Sequence, residues 1–376
     1  DVFLISTAHM LHDVFSSFLA PLRPLLIEKF GLSLFESSLL DIFQRIPNLF
    51  NPIIGIVAEK APARYFVIIT PAVTAVSMSL LGVAPSYTML AILLFVMGLS
   101  GAFFHVPSPV MIRKVSGERI GKGMSWYMAG GEIARTLGPL VITGAVSWWT
   151  LEGTWKLIPF GLVASFVLYL RLRKIRISGE FSHQKKQIGI TAAWKKYYPF
   201  LLILFGLTLF RSMMKSSLTA FLPTYYYSEM GKSLLFSNSA LTILQLAGVF
   251  GSLFSGTLSD RFGRKTILLV ITLITPILLI AFTQANEIMA FPLLILLGFF
   301  IVAPMPVILA TIQDYKSDNP IFLNGMYMMI SFVTGSVAVM ISGYMGDILG
   351  LKMTFVITAI VSLGSIPFIL KLPNKE

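Results

Sequence analysis

Gly256-Thr-Leu-Ser-Asp260-Arg261-Phe-Gly263-Arg264-Lys265 stands between two largely apolar stretches, residues 237–259 and 265–284. A helix needs about 20 apolar residues to cross a bilayer, so this piece reads as a tight turn between two crossings. Gly256 is expected to let a neighbouring helix come close. Asp260, Arg261, Arg264 and Lys265 can latch the end of an adjacent helix at the membrane surface, where helix termini carry partial charge. A related piece lies 201 residues earlier, Gly55-Ile-Val-Ala-Glu59-Lys60-Ala-Pro-Ala-Arg64. It keeps Gly55 and Glu59 at the same spacing but lacks the second Gly and the Arg-Lys pair. Two unequal latches are expected.

Almost the same offset recurs elsewhere. Ser16-Ser17-x-x-Ala20 returns as Ser216-Ser217-x-x-Ala220, Gly31-x-Ser33 as Gly231-x-Ser233, and Gly98 as Gly298, each 200 residues on. Self-similarity at one offset implies two copies of one architecture. Apolar stretches at about 2–27, 34–58, 64–84, 89–112, 122–147, 154–170, 199–227, 237–259, 265–284, 288–312, 321–345 and 351–370 predict twelve transmembrane helices. The predicted organisation is a six-helix bundle over 1–170, a basic linker over 171–198 and a second six-helix bundle over 199–376.

Composition agrees. Of 376 residues, 56% are hydrophobic and only 12% charged, where a soluble domain carries about 25% charged residues. The absence of Cys excludes disulfide scaffolds and thiol chemistry. The net charge of +12 is explained by orientation. With the N-terminus inside, the inner loops and tail hold twenty of the 29 Lys and Arg, and the outer loops four. That bias predicts a multi-pass protein of the cell membrane with both termini cytoplasmic. The basic loops face anionic lipid, and no nucleic-acid partner is needed. No cleavable signal is visible, and a start at Asp1 without Met reads as a trimmed N-terminus.

The Gly256–Lys265 stretch resembles the loop signature of the major facilitator superfamily, and two tandem six-helix halves are that family's plan. The resemblance implies an all-α polytopic membrane protein of the major facilitator fold, with twelve transmembrane helices in two pseudo-symmetric bundles. It also implies a substrate site between the halves near the midplane, and a latch that helps hold the outward-open state. A narrower resemblance rests on His9-x-x-His12-Asp13, Pro24-Leu-Leu-Ile-Glu28-Lys-Phe-Gly31-Leu-Ser33, Phe104-His105-x-Pro107, and Gly130-Gly131 leading to Leu137-Gly138-Pro139-Leu140. These are similar to the fosmidomycin resistance protein group, exporters thought to exchange drug for protons. Between Gly131 and Gly138, where that group carries small or amide residues, this chain has Glu132 and Arg135.

Charge within a span is costly, and marks a cavity or pathway by default. Asp13, Arg45, Glu132, Arg135, Arg211 and Lys215 fall near mid-span, with Asp41 one turn further out. Asp1 and Arg23 lie near span ends and read as snorkelling to the interface. Asp41 with Arg45 at i, i+4, and Glu132 with Arg135 at i, i+3, can pair along their own helices. Arg211 and Lys215 place two cations on one face. They call for acids from elsewhere, Asp13 being one candidate, or for an anionic ligand that Arg can grip with two parallel bonds. The expected substrate-binding set is therefore Asp13, Arg45, Glu132, Arg135, Arg211 and Lys215.

His9, His12 and Asp13 cluster in one turn, His105 lies in the inner half of span four, and His titrates near neutrality. With Glu132 and Asp41 they form the expected proton-coupling set. A metal reading of His9, His12 and Asp13 exists, but without a second ligand cluster no metal is expected. The function expected is proton-coupled alternating access, exporting an anionic or zwitterionic amphiphile in exchange for protons. The alternatives are uptake of a small organic anion by symport or uniport, and export of lipophilic cations. There is no Walker segment, no nucleophile–base constellation and no continuous pore signature, so ATP-driven transport, enzymatic and channel readings fall behind. No cofactor is expected besides protons. The expected partners are a small-molecule substrate and the bilayer, with the chain monomeric.

Overall fold

The computed structural model describes residues 2–51, 54, 63–116, 120–173, 190–315 and 320–373. The described residues form helices and turns, with no strand among them. In chain order the helices are α1 (Val2–Ser16), α2 (Leu19–Phe30), α3 (Leu34–Arg45), α4 (Ala63–Ser79), α5 (Tyr87–His105), α6 (Ser108–Val115), α7 (Ile120–Trp149) and α8 (Ile158–Leu172). Then follow α9 (Ile190–Thr224), α10 (Leu234–Phe262), α11 (Arg264–Gln284), α12 (Glu287–Val302), α13 (Pro304–Asp314), α14 (Pro320–Leu349), α15 (Leu351–Ser362) and α16 (Ile366–Leu370).

Among the described residues, ten stretches are long and apolar enough to cross a membrane. Two of the twelve expected spans are not among them. The 34–58 span is α3 followed by a 3-10 turn over Ile46–Phe50, and residues 52–53 and 55–62 lie outside the described set. The 122–147 span lies in α7, whose 30 residues suffice at about 1.5 Å each. Lys122, Glu132, Arg135 and its glycines dilute its hydropathy. Large apolar side chains stand at the surface, Trp148 81% exposed and Ile288 82%, as lipid contact allows and water would penalise.

Contacts divide the chain into two compact units. One comprises residues 1–32, 39–183 and 232–242, the other 33–38, 184–231 and 243–376. In the first, Ile5, Val67, Ile68, Phe104, Met111 and Tyr127 form one apolar cluster. In the second, Tyr197, Leu204, Leu268, Val307, Leu323 and Tyr327 do the same.

The repeated glycines carry equivalent geometry. Gly31 and Gly231 adopt left-handed φ values of 61° and 62°, a conformation open to Gly at little cost. A methyl at Gly98 would lie 2.0 Å from the Gln44 carbonyl oxygen, and one at Gly298 2.2 Å from that of Leu244. Each Gly therefore lets two helices of its own unit touch backbone to backbone. Ser33 and Glu36 close a capping box at the start of α3: Ser33 Oγ accepts from the Glu36 amide at 3.0 Å, and the Glu36 carboxylate from the Ser33 amide at 2.9 Å. The same helix start is held by Asp347, whose carboxylate accepts the Leu34 and Phe35 amides at 2.7 and 2.9 Å.

Prolines break two helices at matching places in the two halves of the chain. α5 ends at His105 before Pro107, and α12 ends at Val302 before Pro304. Tyr225 and Tyr226 are buried in a π-helical turn against Phe282. Their rings fill the end of the second bundle.

Candidate functional site

Asp13 lies in the last turn of α1 with His9 one turn before it. Three imidazoles converge on its carboxylate. His9 Nε2 is 3.2 Å from Oδ2, His12 Nδ1 2.9 Å from Oδ1, and His105 Nε2, from the end of α5, 3.3 Å from Oδ1. His9, His12 and Asp13 are buried, while the His105 side chain is 43% exposed and gives the cluster its contact with the outside. The rings are held by stacking: His9 on Tyr127 at 4.0 Å between centroids and His12 on Phe104 at 4.6 Å.

Hydrogen-bond geometry limits the tautomers. His9 Nδ1 lies 2.7 Å from the Tyr127 carbonyl oxygen. A carbonyl only accepts, so Nδ1 carries a hydrogen. Nε2 then faces Asp13 Oδ2 either as a bare nitrogen or as the second N–H of an imidazolium. Two lone pairs in contact repel, so the contact itself requires a proton between His9 and Asp13. His12 differs. Its Nδ1 donates to Asp13, and its buried Nε2 has no partner, the environment of a neutral ring.

Helix α7 packs against α1 at Gly130 and Gly131. A methyl at Gly131 would stand 2.6 Å from His9 Cε1 and 3.4 Å from Asp13 Oδ2, and one at Gly130 2.6 Å from the Ser6 carbonyl oxygen. Gly131→Ala is accordingly expected to push the His9 ring off Asp13 while the bundle still folds. The check is a transport pH profile that loses its slope at near-normal protein yield.

The other intramembrane charges separate into distinct arrangements. Asp41 does not pair with Arg45 as its spacing suggested. Its carboxylate is bonded to Arg23 of α2, and both residues are buried. Arg23, expected to snorkel outwards, is instead fully enclosed, 0% exposed. Neighbouring helices meet at this point, and the pair satisfies two charges that neither could carry alone. Arg45 has no ion-pair partner among the described residues and is half-buried. Glu132 and Arg135 do pair along α7, with Nη1 to Oε1 at 2.6 Å and Arg135 exposed.

Within the second unit Arg211 lines a small space with room for about one water molecule, together with Met214, Thr272, Phe300, Pro304 and Ser362. Its Nη2 donates to the Ile301 carbonyl at 3.1 Å, and among the described residues no acid pairs with it. Lys215, one turn on, is half-buried and is not part of that lining.

The turn between α10 and α11 forms a network centred on Arg264. Its guanidinium meets Asp260 at 2.6 Å, Asp314 at the end of α13 at 3.0 Å, and Ser259 Oγ at 2.5 Å. Lys265 donates to the Leu370 carbonyl at 3.2 Å. Gly263 has φ 90° and turns the chain so that Arg264 points back. One expectation fails here: a methyl at Gly256 would meet nothing within 4 Å. The face of α10 at Gly256 is open, so no close helix approach depends on that residue. Gly55 and Glu59, the corresponding residues of the first copy, lie outside the described residues.

The family profile described as Major Facilitator Superfamily matches residues 5–315 and 204–376. An uncharacterized MFS-type transporter of Bacillus subtilis, YfnC, is 24% identical over 99% of this chain and 93% of its own. The fosmidomycin resistance protein of Escherichia coli is 22% identical over 96% and 89%. Among solved structures, the nucleoside transporter NupG, in a mutant form, superposes with TM-score 0.76 at 15% identity, covering 98% of both chains. A bacterial homologue of the human lysosomal transporter Spinster, inward-facing and unoccupied, gives 0.74 at 16% identity over 98% and 94%. At such identities the structural likeness speaks for the fold alone.

Proposed function

The chain belongs to the Major Facilitator Superfamily and is thus a membrane-spanning secondary transporter, not an enzyme; from that premise we propose a proton-coupled exporter of an anionic or zwitterionic amphiphile. The observation that carries the coupling is the His9–Asp13 contact, whose two partners cannot touch without a shared proton. Removing that proton sets two lone pairs against each other in a buried site, where unmatched polar groups are costly. The contact must then open, which turns the His9 ring against Tyr127 of α7. The groups facing Asp13 are His9 and His12 from its own helix, His105 from α5, and the Tyr127 ring and carbonyl of α7 stacked over His9. α4 adds the apolar Val67 and Ile68 to the same cluster. His105, the exposed member, is the entry point for the proton. The ligand-capable atoms of His9, Asp13 and His105 lie within 4.8 Å of one another, and the proton is the cation assigned to them.

Cations that no acid matches favour an anionic substrate: Arg211 and Arg45 have no ion-pair partner among the described residues. The Glu132–Arg135 pair, with Arg135 exposed and Glu132 half-buried, offers both signs to a zwitterion. The resistance protein's name favours export. Cytoplasmic termini follow from the Lys and Arg bias, and the chain is assigned as a monomer with no cofactor but protons. The Arg264 network serves as the cytoplasmic latch between conformations.

The test is reconstitution into liposomes with a trapped pH-sensitive dye. Adding an amphiphilic carboxylate under an imposed pH gradient is expected to accelerate proton movement, with the substrate moving the opposite way. Carboxylate movement indifferent to the gradient would remove proton coupling. Movement in the same direction as protons would replace export with symport.

A further inference from the structure

We propose that His9, Asp13 and His105 form a site for one divalent ion of the zinc class, which binds in place of the proton shared by His9 and Asp13 and arrests the coupled cycle. The ligand set stands on geometry; only the arrest rests on the proton-coupled reading.

The ligands come from two helices of the first unit, His9 and Asp13 one turn apart on α1 and His105 at the end of α5. Zinc bonds of about 2.0–2.2 Å, arranged tetrahedrally, set neighbouring ligand atoms about 3.3–3.6 Å apart. His9 Nε2 stands 3.2 Å from Asp13 Oδ2, and His105 Nε2 3.3 Å from Oδ1. An ion therefore needs no cavity here, because it lies between ligand atoms at close to their present separations. The two contacts fall on different oxygens, so the carboxylate meets the ion with both. The ligand atoms of the two imidazoles lie within 4.8 Å of each other, and rotation of the half-exposed His105 side chain closes that edge.

The surrounding hydrogen bonds suit a metal. Imidazoles that bind one usually donate their other ring N–H to a carbonyl or carboxylate, which fixes the tautomer. His9 does so through Nδ1, 2.7 Å from the Tyr127 carbonyl oxygen, and Nε2 is left to meet the ion. The Asp13 carboxylate is itself held by His12 Nδ1–H at 2.9 Å. His12 is not a ligand: its Nδ1 is spent on that bond, and its Nε2 is buried without a partner. The structure thus exchanges His12, which spacing along α1 suggested, for His105. Gly131 keeps the α7 side clear. A methyl there would stand 2.9 Å from His9 Nε2 and 3.4 Å from Asp13 Oδ2, against both ligand atoms.

Two imidazoles and one carboxylate suit zinc, cobalt and nickel, whereas magnesium and calcium take shells of oxygen. The chain has four His and no Cys, so three of its four imidazoles gather here, His183 being the other. Metal-bound imidazole is neutral and metal-bound carboxylate ionised, so the shared proton leaves as the ion enters. The ion then blocks both proton-carrying groups and ties α1 to α5.

The experiment uses tag-free protein, stripped with a chelator and held in neutral detergent without substrate. It is titrated with Co²⁺ and followed by the visible absorption of the bound ion. One equivalent is expected to give the intense bands of a four- or five-coordinate site, bleached by Zn²⁺ and indifferent to excess Mg²⁺. A pH dye in weak buffer is expected to report about one proton released per ion. His105→Asn and Asp13→Asn each remove a ligand. Each should raise the half-saturating concentration about tenfold or more, since even the hydrogen-bond partners of ligands are worth about 10–100-fold. His183→Gln should leave the titration unchanged. In liposomes Zn²⁺ should stop gradient-driven substrate movement, with a chelator restoring it and His105→Asn resistant. Uptake of cobalt without saturation, or a titration that neither ligand variant alters, would overturn the site. Saturable binding that releases no proton, or leaves transport unimpaired, would overturn the arrest and the shared proton while the ligand set stands. Proton-coupled transport in chelator with no cobalt site sinks only the ion.

Discussion

Asp13→Asn is expected to abolish gradient-driven transport while leaving exchange of substrate across the membrane. Asn keeps the size and can still accept a hydrogen from His12 or His105, so α1 should pack as before. It cannot carry the charge that binds a proton at His9. A difference of one pH unit corresponds to about 1.4 kcal/mol per proton, so one-for-one exchange can concentrate substrate about tenfold for each unit of gradient. In liposomes the variant should fall from that ratio to none, with counterflow of labelled substrate persisting. His105→Asn should slow proton entry more than it alters the final ratio, because the buried His9–Asp13 contact survives. An accumulation ratio in Asp13→Asn that still follows the gradient would move the coupling site, with Glu132 the next acid to test.

The second large effect concerns stability. Arg23→Met should cost about 3–5 kcal/mol, the usual penalty for stranding one member of a buried ion pair. Asp41 would be left buried with no other ion-pair partner among the described residues. The paired replacement Arg23→Met with Asp41→Leu should recover most of the loss, since apolar side chains of similar volume often replace a buried pair without penalty. Thermal unfolding of the three proteins in detergent is the check. If the double variant is as unstable as the single one, the pair does more than neutralise itself. Asp41, expected among the proton-coupling residues, would then need its own transport assay.

The contrast between these two sites shows what local spacing can reveal. His9, His12 and Asp13 lie within one helical turn, so their clustering followed from α-helical geometry alone. Glu132 and Arg135 paired for the same reason. Arg23 and Asp41 are separated by a turn and sit on two helices, α2 and α3. Nothing in the sequence separates an Arg that snorkels from one that is enclosed. Asp41 had an attractive local partner at i, i+4, and the tertiary fold offered a better-buried one. The two cations of α9 were visible as an anomaly, but which of them lines a cavity depended on helices remote in sequence. Gly131 was noted only as part of a motif, and its role in admitting the His9 ring emerges from how α7 approaches α1.

By itself the sequence determined the membrane setting, the helical architecture and the tandem repeat. A bilayer forces backbone polar groups to be satisfied within each segment, so length and hydropathy suffice for those conclusions. It also determined the turn glycines, because positive φ at Gly31 and Gly231 is a property of the residue itself. The tertiary structure decided the partners: His105 to Asp13, Arg23 to Asp41, Arg211 to the Ile301 carbonyl and Arg264 to Asp314. Each of those contacts joins helices whose relative placement is set by many weak packing interactions, and no local pattern in the chain encodes that sum.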